Sequence, residues 1–209
     1  MQAITCYLIE INNVVIFPLA GVNHQKDLCF TMILREANLN DLSNIAKLHT
    51  QSWRENYSGV LSAEYLNEDV VSDRNKVWTE RLTTPSANQY VLIAENNDDF
   101  CGFVCVFGAK HSKYGSIVDN LHVNSKIKGQ GIGTKLLISA AKWAVTNYKD
   151  HELYLEVLEN NKSAIGFYES LGGRKIDSAF WHTPCGNEVT EFIYSWGSPE
   201  LLANKLQKI

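Results

Sequence analysis

Lys128-Gly129-Gln130-Gly131-Ile132-Gly133 sets three glycines at alternate positions, directly before an apolar pattern of helical period. A helix start leaves backbone N–H groups without partners and concentrates partial positive charge there. Glycines let the chain curl and let an anion approach the backbone, so a loop of this kind can hold a phosphate or diphosphate. Each charge-assisted hydrogen bond is worth about 1.5–3 kcal/mol, so four or five suffice. Two familiar nucleotide loops fail on spacing. In the Walker pattern a lysine follows the last glycine directly, whereas here Thr134 intervenes before Lys135. The dinucleotide pattern G-x-G-x-x-G, started at Gly129, ends on Thr134, and its partner acid is also missing, because Asp150 precedes the next strand-like run rather than ending it.

A second cluster lies about 30 residues on: Leu155-Glu156-Val157-Leu158-Glu159-Asn160-Asn161-Lys162-Ser163-Ala164-Ile165-Gly166-Phe167-Tyr168. Together with Leu121-x-Val123 and Lys128-x-x-Gly131-x-Gly133 it resembles the GNAT N-acetyltransferase superfamily, whose loop reads Arg/Gln-x-x-Gly-x-Gly/Ala and whose later segment reads Asn-x-x-Ala-x-x-Phe-Tyr. Asn161, Ala164, Phe167 and Tyr168 match the later segment, and the resemblance runs from about Met32 to Trp196.

That resemblance implies acetyl-CoA as acyl donor and no metal. Backbone groups of Leu121, His122 and Val123 pair with the pantetheine arm. Those from Lys128 through Gly129, Gln130, Gly131, Ile132 and Gly133 to Thr134 hold the pyrophosphate. Asn161 and Ser163 contact the cofactor, and Tyr168 stands by the sulfur to protonate the departing thiolate, a role that typically contributes about 10²–10⁴-fold. Asp119 is the first candidate base for the acceptor amine and His122 the second. Strand alternation would put these two on opposite faces. Trp53, Tyr57 and Trp181 are the expected acceptor pocket. Lys128 departs from the usual Arg or Gln, keeping the charge without the planar fork. Gly173 stands where an aromatic is common in the family. The acceptor is expected to be a small-molecule primary amine, with a protein N-terminus or lysine, or a non-catalytic acyl-CoA module, as alternatives.

These residues need a scaffold. The chain has 209 residues, 45% of them hydrophobic and 20% charged, which suits one domain with a substantial core. A net charge of −4 argues against a nucleic-acid partner. Five cysteines without a C-x-x-C pair suggest neither a disulfide framework nor a zinc site, and point to a reducing, cytoplasmic setting. Cys101 and Cys105, four apart in a strand-like run, should face the same way. His49, His151 and His182 read as ordinary polar or half-buried residues. Val14 to Val22 is apolar but far short of the roughly 20 residues that span a bilayer, and it lacks the basic start of a secretory signal. No membrane association is expected, and the protein should be a monomer or homodimer.

Along the chain, Thr31–Arg35 reads as a strand. Asn38 and Asp41 make a capping box ahead of a helix carrying Leu42, Ile45, Ala46, His49 and Trp53. Ser62 caps a second helix with Leu66, Val70, Val77 and Leu82 inward. Strands are expected at 90–95, 101–107, 116–124, 153–158, 175–182 and 190–196, with helices at about 134–149 and 162–171. The order β-α-α-β-β-β-α-β-α-β-β implies a single α/β domain (α+β, mixed sheet) with helices on both faces. Residues 1–31 read as a non-catalytic extension, 32–196 as the acetyltransferase domain and 197–209 as a short helical tail.

Overall fold

The computed structural model describes residues 9–11, 14–18, 31–97 and 99–205. The expected order is met: β3 (Thr31–Glu36), α1 (Leu42–Asn56), α2 (Val70–Thr83), β4 (Gln89–Asn96), β5 (Asp99–His111), β6 (Gly115–Val123), α3 (Ile132–Tyr148), β7 (Leu153–Leu158), α4 (Lys162–Ser170), β8 (Arg174–His182) and β9 (Glu188–Gly197). β1 (Ile9–Ile11) and β2 (Val14–Pro18) extend the sheet beyond β3, and α5 (Pro199–Ala203) follows β9. The rest of the extension, including Cys6 and Cys29, lies outside the described residues.

The strands run β1-β2-β3-β4-β5-β6-β7-β9-β8 across one sheet. Every neighbouring pair is antiparallel except β6 and β7, which are parallel and paired only at Ser116–Leu153 and Ile117–Tyr154. Past Ile117 the two strands separate, and that opening positions the site.

Alternating side chains on β5 build the two halves of the core. Val104 and Val106 meet α3 through Leu136, Leu137, Ala140 and Ala144, joined by Leu202 and Ala203 of α5. Phe103, Cys105 and Phe107 meet α1 and α2 through Ile45, Leu48 and Trp78. The C-terminal helix therefore packs on α3 as part of the core. α3 also lies close over the sheet at Gly108, where an added Cβ would sit 2.1 Å from the Tyr148 ring.

Three local expectations change. Cys101 and Cys105 face opposite core clusters. A β-bulge places Phe100 opposite Glu95 and Gly102 opposite Ala94, leaving Cys101 as the extra residue and reversing its side. On α2 the central inward residue is Trp78, fully buried, with Val77 at the margin of the stripe. The large indole fills the gap between α1 and the sheet, and its Nε1–H donates to His49 Nδ1 at 3.0 Å. His49 is accordingly buried, at 1% exposure, rather than half-buried.

The capping box forms as read. The Asn40 N–H donates to Asn38 Oδ1 (2.9 Å) and the Asn38 N–H to Asp41 Oδ2 (2.8 Å). Arg35 adds two bonds to the same carboxylate, both at 2.8 Å. Burial alone would raise the Asp41 carboxyl, but Arg35 and the Asn38 N–H outweigh it and hold it below its usual range. Replacing Asn38 with Ala removes one acceptor from this cap. It should lower stability by about 1 kcal/mol, seen as a lower urea midpoint with unchanged slope.

Candidate active site

Where β6 leaves β7, a cleft of about 840 Å³ opens, walled by both strands, the glycine loop, the start of α4 and the ends of α1 and β8. On the side facing β7, residues 118–123 of β6 have no strand partner, while the other edge stays paired with β5. Leu121, His122 and Val123 thus present backbone donors and acceptors to the cleft, the arrangement needed to bind an extended amide chain as an added strand.

The loop closes one end. Gly131 is the residue before α3 and has φ 76°, a left-handed conformation that costs a side chain but not glycine; Gly129 has φ 83°. The first turn of α3 contains no acidic residue and Gly131 supplies no side-chain cap, so its N–H groups stay open to an anion. Lys128, Gly129, Gly131, Ile132, Gly133 and Thr134 all border the cleft, whereas Gln130 is exposed and outside its lining. An added Cβ on Gly133 would lie 3.4 Å from Phe167 and 3.6 Å from Val123, so loop, α4 and β6 converge here. These donors fit the diphosphate of coenzyme A.

α4 starts at Asn161, whose Oδ1 accepts the Ala164 N–H at 3.1 Å. Asn161, Ser163 and Tyr168 border the cleft. Tyr168 packs edge-on to Phe167 and Trp196. Burial, and then Tyr57, push its phenol well above the ordinary value, so it holds its proton at neutral pH.

The other end is aromatic. Trp53, Tyr57 and Trp181 form a triangle with ring centroids 5.4, 5.8 and 6.0 Å apart. The Arg74 guanidinium lies 4.0 Å over the Trp53 ring. Burial pushes Tyr57 up to about 12, with Glu191 adding to the effect.

Asp119 and His122 are both brought to the cleft, and on the same side of the sheet, contrary to simple alternation. A bulge sets Cys105 opposite Asn120 and Val106 opposite Val118, so Asp119 is the inserted residue and turns toward α2. There its carboxylate meets Arg81 at 2.7 Å. His122 Nδ1 lies 2.8 Å from Ser52 Oγ, and its ring lies tilted against His49 with centroids 4.6 Å apart. Burial, with Arg74 and Lys128 nearby, pushes His122 down to about 3, which keeps it neutral. Among the described residues no group of His, Cys, Asp and Glu could hold a metal.

Several cleft residues were given no role of their own in the sequence reading: Ser52, Arg74, Arg81, Glu156 and Glu191. The available signal for Glu191 was a carboxylate directly before the apolar run Phe192-Ile193-Tyr194 of β9, two residues from Ile193.

A sheet that opens at a helix N-terminus, with a protonated tyrosine lining the same cleft, fits an acyl-coenzyme A-dependent transferase. The family assignment follows from the sequence match. The model of the acetyltransferase (GNAT) family matches residues 45–173, and the chain belongs to that family. It is similar to the uncharacterized N-acetyltransferase YuaI of Bacillus subtilis (strain 168), 26% identical over 68% of this chain and 80% of that protein. It is also similar to an N-alpha-acetyltransferase of Saccharolobus solfataricus, 27% identical over 73% of this chain and 86% of the relative. It shares its fold with the PaiA N-acetyltransferase from Thermoplasma acidophilum in complex with coenzyme A, with TM-score 0.60 and 20% identity, covering 79% of this chain and 98% of that one. The protein is an acetyl-CoA-dependent N-acetyltransferase. Among the described residues no helix is long and apolar enough to cross a membrane.

Proposed function

We propose that the protein acetylates a small-molecule primary amine, bound against Trp53, Tyr57 and Trp181. The observation that carries this reading is the bridge over the acceptor end. The loop between α1 and α2 is tied to the β8–β9 turn by the Ser62 N–H to Cys185 Sγ (3.4 Å) and Asn187 Nδ2 to the Val60 carbonyl (3.3 Å). Two elements that would flank a groove for a peptide are thereby joined, which favours a compact acceptor.

In the mechanism that follows, the amine attacks the thioester carbonyl and charge develops on its oxygen. In this reading a backbone N–H near Val123, on the unpaired edge of β6, stabilises that charge. Tyr168 gives its proton to the departing thiolate. Lys128 and the first turn of α3 anchor the diphosphate, fixing the thioester along β6.

A second reading, acetylation of a protein N-terminus, is favoured by the similarity to the Saccharolobus N-alpha-acetyltransferase. A thiol-release assay with acetyl-CoA separates them, using spermidine, phenethylamine, an aminoglycoside and tetrapeptides with free N-termini. Turnover confined to peptides would overturn the small-amine reading. Trp181→Ala should raise the acceptor KM roughly tenfold, about 1.4 kcal/mol of binding, with the KM for acetyl-CoA unchanged.

A further inference from the structure

Three carboxylates border the cleft, one on each of three strands: Asp119 on β6, Glu156 on β7 and Glu191 on β9. They are not equivalent. Asp119 is neutralised by Arg81. Glu156 is exposed to solvent. Glu191 is half-buried, and its side chain makes no hydrogen bond or ion pair with any described residue. Its strand position explains why it points inward. Glu191 pairs with Leu158 of β7 and Ala179 of β8, two residues from Ile193, which is buried under α1 and α2 on the same face. Trp181 pairs with Val189 and is therefore the diagonal neighbour of Glu191 on that face. The carboxylate stands beside the aromatic wall, unpartnered.

We propose that Glu191 is the general base that takes a proton from the acceptor's ammonium group. This rests on the reading of the aromatic end as the acceptor site. The ammonium gives one proton to the Glu191 carboxylate, which becomes a neutral acid. The freed nitrogen lone pair forms the C–N bond, and the C–S bond breaks with its electron pair going to sulfur. Tyr168 protonates the sulfur, and the second nitrogen proton restores the phenol. Glu191 returns its proton to solvent. The sum is amine acetylation, free thiol and one released proton.

The electrostatics agree. Burial, reinforced by Glu156, pushes Glu191 up to about 7, so it is a carboxylate above neutrality and strong enough there to accept a proton. The charged and titratable groups that border the same cleft are Tyr57 at the end of α1, Arg74 and the Asp119-bound Arg81 of α2, His122 of β6, Lys128 of the glycine loop, Glu156 of β7, Tyr168 of α4, and His182 of β8, itself paired with Glu188 at 3.0 Å.

The test compares wild type, Glu191→Gln and Glu191→Asp with acetyl-CoA and the panel acceptor that wild type turns over fastest. In wild type, kcat/KM rises with pH through about 7, as the carboxylate forms. Glu191→Gln should lose that limb and fall about fivefold or more at pH 7.5, keep its acetyl-CoA affinity in calorimetry, and regain the limb as Asp. An unchanged limb with unchanged kcat overturns the proposal, whether or not the acceptor KM moves. If the fastest acceptor is a peptide, the small-amine reading fails but this comparison runs unaltered, since a terminal ammonium needs the same deprotonation. Folding gives an independent readout. The folded-state pKa lies above the unfolded value, so the stabilising contribution is complete below the unfolded value of 4.5 and is lost as pH rises through about 7. Glu191→Gln escapes that loss and should melt no lower than wild type at pH 8; a lower melting point there would overturn the desolvated placement of the carboxylate.

Discussion

Gly131→Asp abolishes acetyl-CoA binding measurable by calorimetry while leaving the protein folded. The substitution isolates charge from conformation. Gly131 has φ 76°, but an added Cβ meets nothing within 4 Å. Aspartate is among the few residues that tolerate the left-handed region. The side chain therefore fits, and it brings a carboxylate to the N–H groups of the first α3 turn. There it competes for the donors and repels the diphosphate. Two like charges 4 Å apart near a protein surface repel by about 4 kcal/mol, roughly a thousandfold in affinity. Gly131→Asn matches its shape without the charge and should lose far less. Circular dichroism should be unchanged for both. Equal affinity of the Asp variant and wild type would mean that the diphosphate is held elsewhere.

The second large effect is expected for Tyr168→Phe. The ring contacts with Phe167 and Trp196 survive this change, so the packing of α4 is kept. Only the hydroxyl is lost, and that hydroxyl has no hydrogen-bond partner among the described residues. Its removal leaves no unpaired group behind. If it protonates the thiolate, kcat falls at least about tenfold, within the 10²–10⁴-fold that acid catalysis commonly supplies, while acetyl-CoA affinity holds. A kcat within twofold of wild type would remove Tyr168 from the chemistry and leave it as a wall residue.

Both predictions concern residues legible from the chain alone, and the reason is locality. The glycine loop, the Asn161 cap and the Asn38–Asp41 box are built from neighbours within a few residues, so their geometry follows from spacing and backbone preference. The same holds for most strand and helix bounds; β7 runs from Leu153 to Leu158 as its apolar run suggests. What spacing could not reveal depends on pairing. Asp119 and Cys101 change sides because the partner strand skips a residue, and nothing in their own segments records that. Trp78 and His49 find each other across two helices. Cys185, unremarkable in sequence, ties a hairpin turn to the loop between α1 and α2.

Donor recognition, then, was written in the chain itself. Three glycines before a helix specify an anion cradle through local geometry, and Asn161 with Tyr168 in the next helical segment carry the family resemblance behind the proposed proton donor. The aromatic end was named in part from the chain, but its closure into one triangle and the addition of Glu191 depend on the tertiary structure. Trp53 and Tyr57 come from the end of α1, Trp181 and Glu191 from the β8–β9 hairpin more than 100 residues away, and they meet across the cleft. The sign of Asp119's environment and the freedom of Glu191 follow from that long-range register, which no local rule contains.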